Sequence, residues 1–421
     1  MPTLQQGPVT KSRLALEWLV AAVVGAVLLL LSNLLMPPAA ATFPGHGERF
    51  AEMAQAPFAF AGEFPQRVLW PLLAWLFSYV GVGVVLFSNL CNGALLAVVY
   101  WFARRRTGAQ GLAFLVTAAV AVSGAVLVYQ PMMCFSDTLN LLLMVLLIHF
   151  ANRGRVFWSL VLLSAFSHEL VFFFSAWLIY LRLCNGGRLW PEVGCWAVCL
   201  LLYGGFRVAL KVTGNTGEYD SAYYFENAFW VPWGLPAIWA LWGFVVVVEF
   251  GPLLVALFFA SRRGLLMQPS AMGGRWWPWL FFSSLLALML LAYDVMRFAP
   301  LVFAPVLLAL VALARSYRGP LILSALILSQ VGCYAWLHPN AAEQGGRQFT
   351  EVSGYILANI GLLVSRQPGD AVALVWGLLT QFWGYALCAA LALVGFIVSG
   401  RWLARWGYDG AARMNSSDPS E

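Results

Sequence analysis

The sequence contains little charge, since Asp, Glu, Lys and Arg together make up 10% of its 421 residues. A soluble globular protein carries roughly a quarter charged residues. Hydrophobic residues reach 62%, more than a soluble core can bury. The shortage of charge therefore excludes an ordinary soluble enzyme and indicates an integral membrane protein.

Several site chemistries also lack their residues. The seven cysteines are scattered, mostly within apolar runs, so they predict neither a disulfide framework nor a metal cluster. The sequence has no phosphate-binding glycine loop, no His-Glu-x-x-His zinc pair and no Gly-x-Ser-x-Gly nucleophile. The net charge of +6 comes from short basic clusters between apolar runs, which orient membrane helices and do not indicate nucleic acid as a partner. These absences argue against ATP-driven transport and membrane proteolysis by this chain alone.

Long apolar runs fill most of the chain. Segments such as 111–128, 297–314 and 371–400 have the length of about 18 residues or more that spans the hydrocarbon of a bilayer. The uncharged stretch 68–103 is too long for one crossing, so we expect a break near Pro71, Gly81 and Gly83. The fold class is therefore predicted as all-α, a polytopic membrane protein with about ten transmembrane helices.

The distribution of arginine predicts how the chain threads the membrane. With the N-terminus in the cytoplasm, Arg104, Arg105 and Arg106 also fall inside, as the positive-inside rule requires. The run 156–181 decides the rest, because a full crossing would place four later arginines outside. We therefore predict that 156–181 is a re-entrant helical hairpin bent near His168 and Glu169, and that both termini are cytoplasmic.

This threading gives a simple domain organisation. Residues 1–400 form a single transmembrane helical domain, in which 37–66 is an external amphipathic loop. That loop mixes phenylalanines with charges, as an interfacial helix does. The polar tail 401–421 is predicted to be a disordered cytoplasmic segment.

Charges within or beside apolar spans are functional candidates, because an unpaired charge there costs several kcal/mol. The predicted threading collects them on the outer side, and the candidates are Glu48, Arg67, Asp137, His168, Glu169, Arg207, Asp294 and Arg297. Some of these residues could have a purely structural role. Asp294 and Arg297 are three residues apart, so on one helix they could simply neutralise each other. His168 could be a packing contact, and the external loop a mere anchor.

The order of several short motifs resembles the GT-C class, multi-spanning bacterial glycosyltransferases that use polyprenyl-phosphate-linked sugars. An acidic external loop follows the first helix and leads to an Arg-x-Leu-x-Pro-Leu-Leu-like segment. The resemblance covers mainly residues 40–185. The three motifs that carry it are Arg67-Val68-Leu69-Trp70-Pro71-Leu72-Leu73, Ser136-Asp137-Thr138-Leu139 and Ser167-His168-Glu169-Leu170.

The resemblance implies an inverting sugar transfer at the outer face of the bacterial inner membrane. A carboxylate of the external loop would act as the base, and arginines would hold the leaving lipid phosphate. Glu48 stands where such proteins usually carry an aspartate. The residues assigned to catalysis are Glu48, Asp137, His168 and Glu169, and those assigned to substrate binding are Arg67, Arg207, Asp294 and Arg297.

The partners implied are a lipid-linked sugar donor, an acceptor that is a glycan, lipid or protein, and the membrane itself. No metal ligands are assigned, although the acidic loop leaves a divalent cation open as a cofactor. Two other functions remain open: a transporter or flippase for a lipid-linked glycan or small solute, and a non-catalytic subunit of an envelope assembly. Charges that gather on one face, without a chain of charges through to the cytoplasm, favour the enzyme.

Overall fold

The computed structural model describes residues 11–42, 46–59, 64–130, 133–214, 243, 246, 249–267, 272, 274–291, 299–316, 318–337 and 376. In these ranges the chain is helical and contains no β-strand. The α-helices are α1 (Lys11–Leu35), α2 (His46–Gln55), α3 (Leu69–Ser78), α4 (Val84–Thr107), α5 (Gln110–Ala121), α6 (Gly124–Leu127), α7 (Asp137–His149), α8 (Gly154–Ser167), α9 (Ser175–Cys184), α10 (Leu189–Val212), α11 (Leu254–Arg262), α12 (Trp277–Leu291), α13 (Phe303–Ala314) and α14 (Gly319–Leu337).

Three described helices are long and apolar enough to cross a membrane: Leu14–Leu35 within α1, and the whole of α4 and of α10. The other apolar helices of the described ranges are shorter. The all-helical class is thus confirmed for these residues. The number of about ten crossings and the cytoplasmic location of both termini stay predictions, and the predicted tail 401–421 lies outside the described residues.

Helices α1 and α4 run antiparallel. Trp18 stacks on Trp101 with ring centroids 4.8 Å apart, and Glu17 pairs with Arg105 at 2.5 Å. Toward the middle of α1, the Gly25 backbone lies so close to α4 that a Cβ there would stand 2.8 Å from the Ala97 nitrogen. The end of the bundle where α1 begins and α4 ends is called the basic side, and the opposite end the distal side.

The expected break in 68–103 lies at residues 79–83, between α3 and α4. Gly81 adopts φ +82°, a conformation that glycine takes without the steric penalty of a side chain. Pro71 is different, because it lies in the first turn of α3, where a missing N–H breaks no helical hydrogen bond. Pro71 was therefore wrong as a candidate for the break.

Helix α7 runs parallel to α4 and returns the chain to the basic side. The Thr138 hydroxyl donates to Asn92 Oδ1 at 2.9 Å near the start of α7. At its other end the His149 ring lies 4.2 Å from the Trp101 ring. The first residue of α7 therefore lies well toward the distal side of α4.

The chain reverses between α8 and α9. Nη1 of Arg182, near the end of α9, donates to the carbonyl of Ala151, just before α8 begins. The same guanidinium pairs with Glu192, in the first turn of α10. The two ends of the segment 154–184 thus lie together, and its helical path is interrupted in between at His168.

The remaining described helices complete the bundle. Helix α13 packs against α11 and α5, and α12 packs against α9. Glu249 is fully buried against Gly124, and Gln330 of α14 donates to the Glu249 carbonyl at 3.3 Å. The close approach at Gly124 assigns a packing role to the Ser123-Gly124 pair.

The first prediction concerns the contact of α1 with α4. Gly25→Ala should separate the two helices, because its Cβ would overlap backbone atoms that cannot move independently. We expect a loss of about 1–3 kcal/mol in the free energy of unfolding, measured as a lower unfolding temperature in detergent. Gly194→Ala is the matched control, since nothing lies within 4 Å of that position on α10. Equal unfolding temperatures for both variants would contradict the close contact.

Candidate functional site

Among the residues that the structure describes, Arg67 and Glu169 form an ion pair with two hydrogen bonds, away from the basic side. Nε of Arg67 donates to Glu169 Oε2 at 3.0 Å, and Nη2 donates to Oε1 at 2.6 Å. The Arg67 side chain is 5% exposed and the Glu169 side chain 18%. The pair therefore opens outward on the carboxylate side.

Arg67 is held in place by the end of the first loop. Its guanidinium lies over the Phe64 ring at 4.2 Å, and α3 begins two residues later. Phe64 in turn stacks on Phe50, a fully buried residue of the amphipathic helix α2. The apolar face of α2 thus fixes the arginine by packing against the aromatic ring beneath it.

Glu169 is held differently, by a break in the helix. His168 has extended backbone angles, φ −163° and ψ 130°, and ends α8. Its Nδ1 accepts from the Leu170 N–H at 3.4 Å and so caps a 3₁₀ helix, Glu169–Phe174. Most 3₁₀ helices have only three or four residues, because their hydrogen-bond geometry is poor, whereas this one has six. The carboxylate thus belongs to a less regular element than its arginine.

Helix α10 supplies two further groups. The Tyr203 hydroxyl donates to Glu169 Oε2 at 3.5 Å, and His168 Nδ1 lies 3.6 Å from the same oxygen. Arg207 is one helical turn beyond Tyr203, on the same face of α10. Arg207 is half-buried and forms no ion pair with any residue that the structure describes.

Arg67, Glu169, Tyr203 and Arg207 are together called the distal cluster, with His168 at its edge. The cluster thus holds two guanidinium groups, one carboxylate and one phenol hydroxyl. Tyr203 lies eleven residues beyond Glu192 on α10, or about 16 Å along the helix axis. The cluster is therefore well separated from the basic side.

A second arginine–glutamate pair joins the helix ends on the basic side. Nε of Arg182 donates to Glu192 Oε2 at 3.1 Å, and Nη2 to Oε1 at 2.7 Å. Trp158 Nε1 also donates to Glu192 at 2.5 Å. Gly154 and Gly187 close over this pair, since a Cβ at either would fall within 3 Å of its atoms. The Arg182–Glu192 pair has the form of a sealed structural contact.

The other two predicted catalytic carboxylates lie on two other helices, α2 and α7. Glu48 is on the exposed face of α2, whereas Phe50 is on its buried face. Asp137 is buried at the first residue of α7, where the helix dipole favours a negative charge. Phe135, two residues before it, lies 6.4 Å from the Phe50 ring. The segment just before α7 thus packs against the same group of aromatic residues that lies beside Arg67.

The remaining predicted residues lie outside the described ranges. These are Asp294 and Arg297, whose pairing with each other therefore stays a prediction. A metal site also stays open: within the described part of the chain, no three His, Cys, Asp or Glu side chains converge on one point.

Sequence reasoning missed Tyr203 and the Arg182–Glu192 pair. Tyr203 lies in an apolar helix 34 residues from Glu169, and no local pattern joins them. Arg182 and Glu192 are ten residues apart across a turn, so neither helical nor strand spacing connects them. A buried polar side chain in an apolar span is the signal that could have identified Glu192.

The second prediction tests the sealed pair with a double-mutant cycle. Arg182→Met should lower the free energy of unfolding by about 3–5 kcal/mol, because it leaves Glu192 buried without a cation. Arg182→Met combined with Glu192→Met should recover most of this loss, since no isolated charge remains. Denaturant unfolding in detergent measures all three variants and wild type. Additive losses in the double variant would show that the two side chains do not depend on each other.

Comparisons with protein-family models, curated proteins and solved structures find no match to this chain. The function must therefore be inferred from the chemistry of the distal cluster.

Proposed function

We propose that the chain is a GT-C-like integral membrane glycosyltransferase, which moves a sugar from a polyprenyl-phosphate carrier to an acceptor at the outer face of the membrane. The observation that carries this proposal is the distal cluster, in which the Arg67–Glu169 ion pair meets Tyr203 among apolar helices and Arg207 lies one helical turn beyond Tyr203. Nothing in the sequence motifs alone gives that arrangement.

The chemistry of the cluster suits a phosphate group. An arginine fork donates two parallel hydrogen bonds to phosphate oxygens and keeps its charge when water is excluded. Arg207 offers a second fork on the same face of α10 as Tyr203. Guanidinium groups attract an anion, and surrounding apolar side chains strengthen that attraction by lowering the local dielectric constant.

The surface beside the cluster suits a lipid. Leu201 is 73% exposed and Val208 62% exposed on α10, which is long and apolar enough to span a membrane. A prenyl chain could lie along these side chains while its phosphate reaches Arg207. Exposed apolar residues next to a half-buried cation favour a lipid phosphate over a water-soluble one.

The proposed transfer conserves atoms and charge. The acceptor hydroxyl oxygen forms a bond to the anomeric carbon of the sugar, and the bond from that carbon to the phosphate oxygen breaks. The hydroxyl proton passes to a carboxylate, for which Glu48 of the first loop is the candidate. The leaving phosphate keeps the electron pair and is stabilised by Arg67 and Arg207.

The orientation follows from the arginines. Arg104, Arg105 and Arg106 end α4, and Arg153 and Arg155 begin α8, all on the basic side. Placing this side in the cytoplasm obeys the positive-inside rule and puts the distal cluster toward the outer face. It also makes 156–181 re-entrant, since both ends of 154–184 lie together on the basic side. The membrane would be the bacterial inner membrane.

A transporter is the second candidate function. The reversal at His168 is its supporting observation, because transporters often bind solutes at interrupted helices near the middle of the membrane. A carrier would bind the same lipid phosphate without transferring sugar, so lipid binding and sugar transfer are separate measurements.

The third prediction concerns lipid binding. Arg207→Gln should lose most co-purified polyprenyl phosphate, because the second fork of donors is removed without disturbing the Arg67–Glu169 pair. Native mass spectrometry of the protein in mild detergent measures the bound lipid. Arg188→Gln is the matched control, an exposed arginine at the other end of α10 that should keep the lipid. Equal lipid in both variants, or none in wild type, would contradict a phosphate site at the cluster.

The fourth prediction concerns sugar transfer. Glu48→Gln should retain lipid binding and enrich the sugar-bearing form of the lipid, because the acceptor hydroxyl loses its base. The rate should fall by about 10²–10⁴-fold. Glu52→Gln, one turn further on the same exposed face of α2, should behave as wild type. If both variants bind the lipid and neither alters the ratio of sugar-bearing to free lipid, Glu48 is not the base.

A further inference from the structure

The Arg67 fork is occupied by Glu169 in the geometry that a phosphate would use. Two parallel N–H donors meet two oxygens of one group at 2.6 and 3.0 Å. Carboxylate and phosphate both accept this two-bond arrangement from arginine. A lipid phosphate cannot reach both donors while the carboxylate remains there.

The arginine is the fixed partner and the carboxylate the movable one. Arg67 is almost fully buried and stacked on Phe64. Glu169 is more exposed and begins a 3₁₀ run directly after the break at His168. Interrupted helices with 3₁₀ character often mark hinges. Movement of Glu169 is therefore the smaller rearrangement that would open the fork.

The Arg182–Glu192 pair shows how a purely structural arginine–glutamate pair differs from the Arg67–Glu169 pair. Glu192 accepts a further short hydrogen bond from Trp158, and Gly154 and Gly187 leave no space around that pair. The additional contacts of Glu169 with Tyr203 and His168 are longer, at 3.5 and 3.6 Å. The same two residue types thus form a sealed pair where the two ends of segment 154–184 meet and an open pair at the point where the segment reverses.

We propose that Glu169 is a displaceable occupant of the lipid-phosphate site: the phosphate group of an incoming polyprenyl-phosphate lipid replaces its carboxylate on Arg67 and bridges to Arg207. This inference rests on the phosphate site of the proposed function and adds how that site is kept closed. With the carboxylate displaced, two guanidinium groups face one phosphate, whose charge of one to two negative units they balance. Uncharged lipids cannot compete with the carboxylate, so Glu169 makes the site selective for the phosphorylated carrier.

The test measures binding of farnesyl phosphate to the full-length protein in detergent, with farnesol as the probe that lacks phosphate. Glu169→Gln removes the competing charge at nearly constant size, and farnesyl phosphate should bind about tenfold more tightly than to wild type. Glu169→Asp keeps the charge but shortens the reach to Arg67, so a smaller increase is expected. Farnesol binding should change in neither variant.

Glu192→Gln and Glu192→Asp are the matched controls. They should lower the unfolding temperature without increasing the affinity for farnesyl phosphate, because the sealed pair is not a ligand site. The same unfolding measurement shows whether the Glu169 variants are folded. If the Glu169→Gln variant is unstable, the affinity of the Glu169→Asp variant for farnesyl phosphate provides the test.

The outcomes distinguish this inference from the proposed function. Tighter binding in the Glu169 variants supports displacement, even if no variant transfers sugar. Unchanged or weaker binding in folded Glu169 variants overturns displacement and assigns Glu169 a structural or direct binding role, even if wild type transfers sugar. An equal increase for farnesol would also overturn it, because the carboxylate would then be blocking the prenyl chain rather than the phosphate.

Discussion

The buried pair of Arg182 with Glu192 determines where the segment 154–184 begins, ends and reverses. Because Arg182 also donates to the Ala151 carbonyl, α8 must begin and α9 must end on the same side of the bundle. A segment with both ends together has to reverse, and the reversal falls at His168. Glu169 is therefore presented at the tip of a hairpin, where the first loop can meet it.

Burying charge is costly, and the two arginine–glutamate pairs meet that cost differently. The sealed pair on the basic side satisfies its charges with additional donors and leaves no room for a ligand. The Arg67–Glu169 pair satisfies the arginine but leaves the carboxylate partly exposed. A buried ion pair is poor evidence of stability by itself. The contrast between sealed and open pairs is what makes the distal one a candidate for ligand exchange.

The sequence predicted those features that depend on length and charge balance. The break at 79–83 followed from a run too long for one crossing, and the bend near His168 followed from the side on which later arginines had to lie. The contact of Tyr203 with Glu169 could not be predicted. When a helix is apolar on all sides, its sequence does not indicate which side packs against which neighbouring helix. The same limitation hid Glu192, whose partner lies across a turn, and left Pro71 indistinguishable from a helix breaker.

The geometry of the distal cluster also bears on which carboxylate could accept a proton. Both oxygens of Glu169 already accept hydrogen bonds from Arg67, and Tyr203 approaches one of them. Such a carboxylate has little accepting capacity directed at an incoming hydroxyl, so its place in a transfer reaction is beside the phosphate and not the acceptor. Glu48 lies on the exposed face of α2, whereas Phe50 lies on its buried face. In the proposed reaction, separate carboxylates would therefore act at the two ends, Glu169 beside the leaving phosphate and Glu48 as the candidate base.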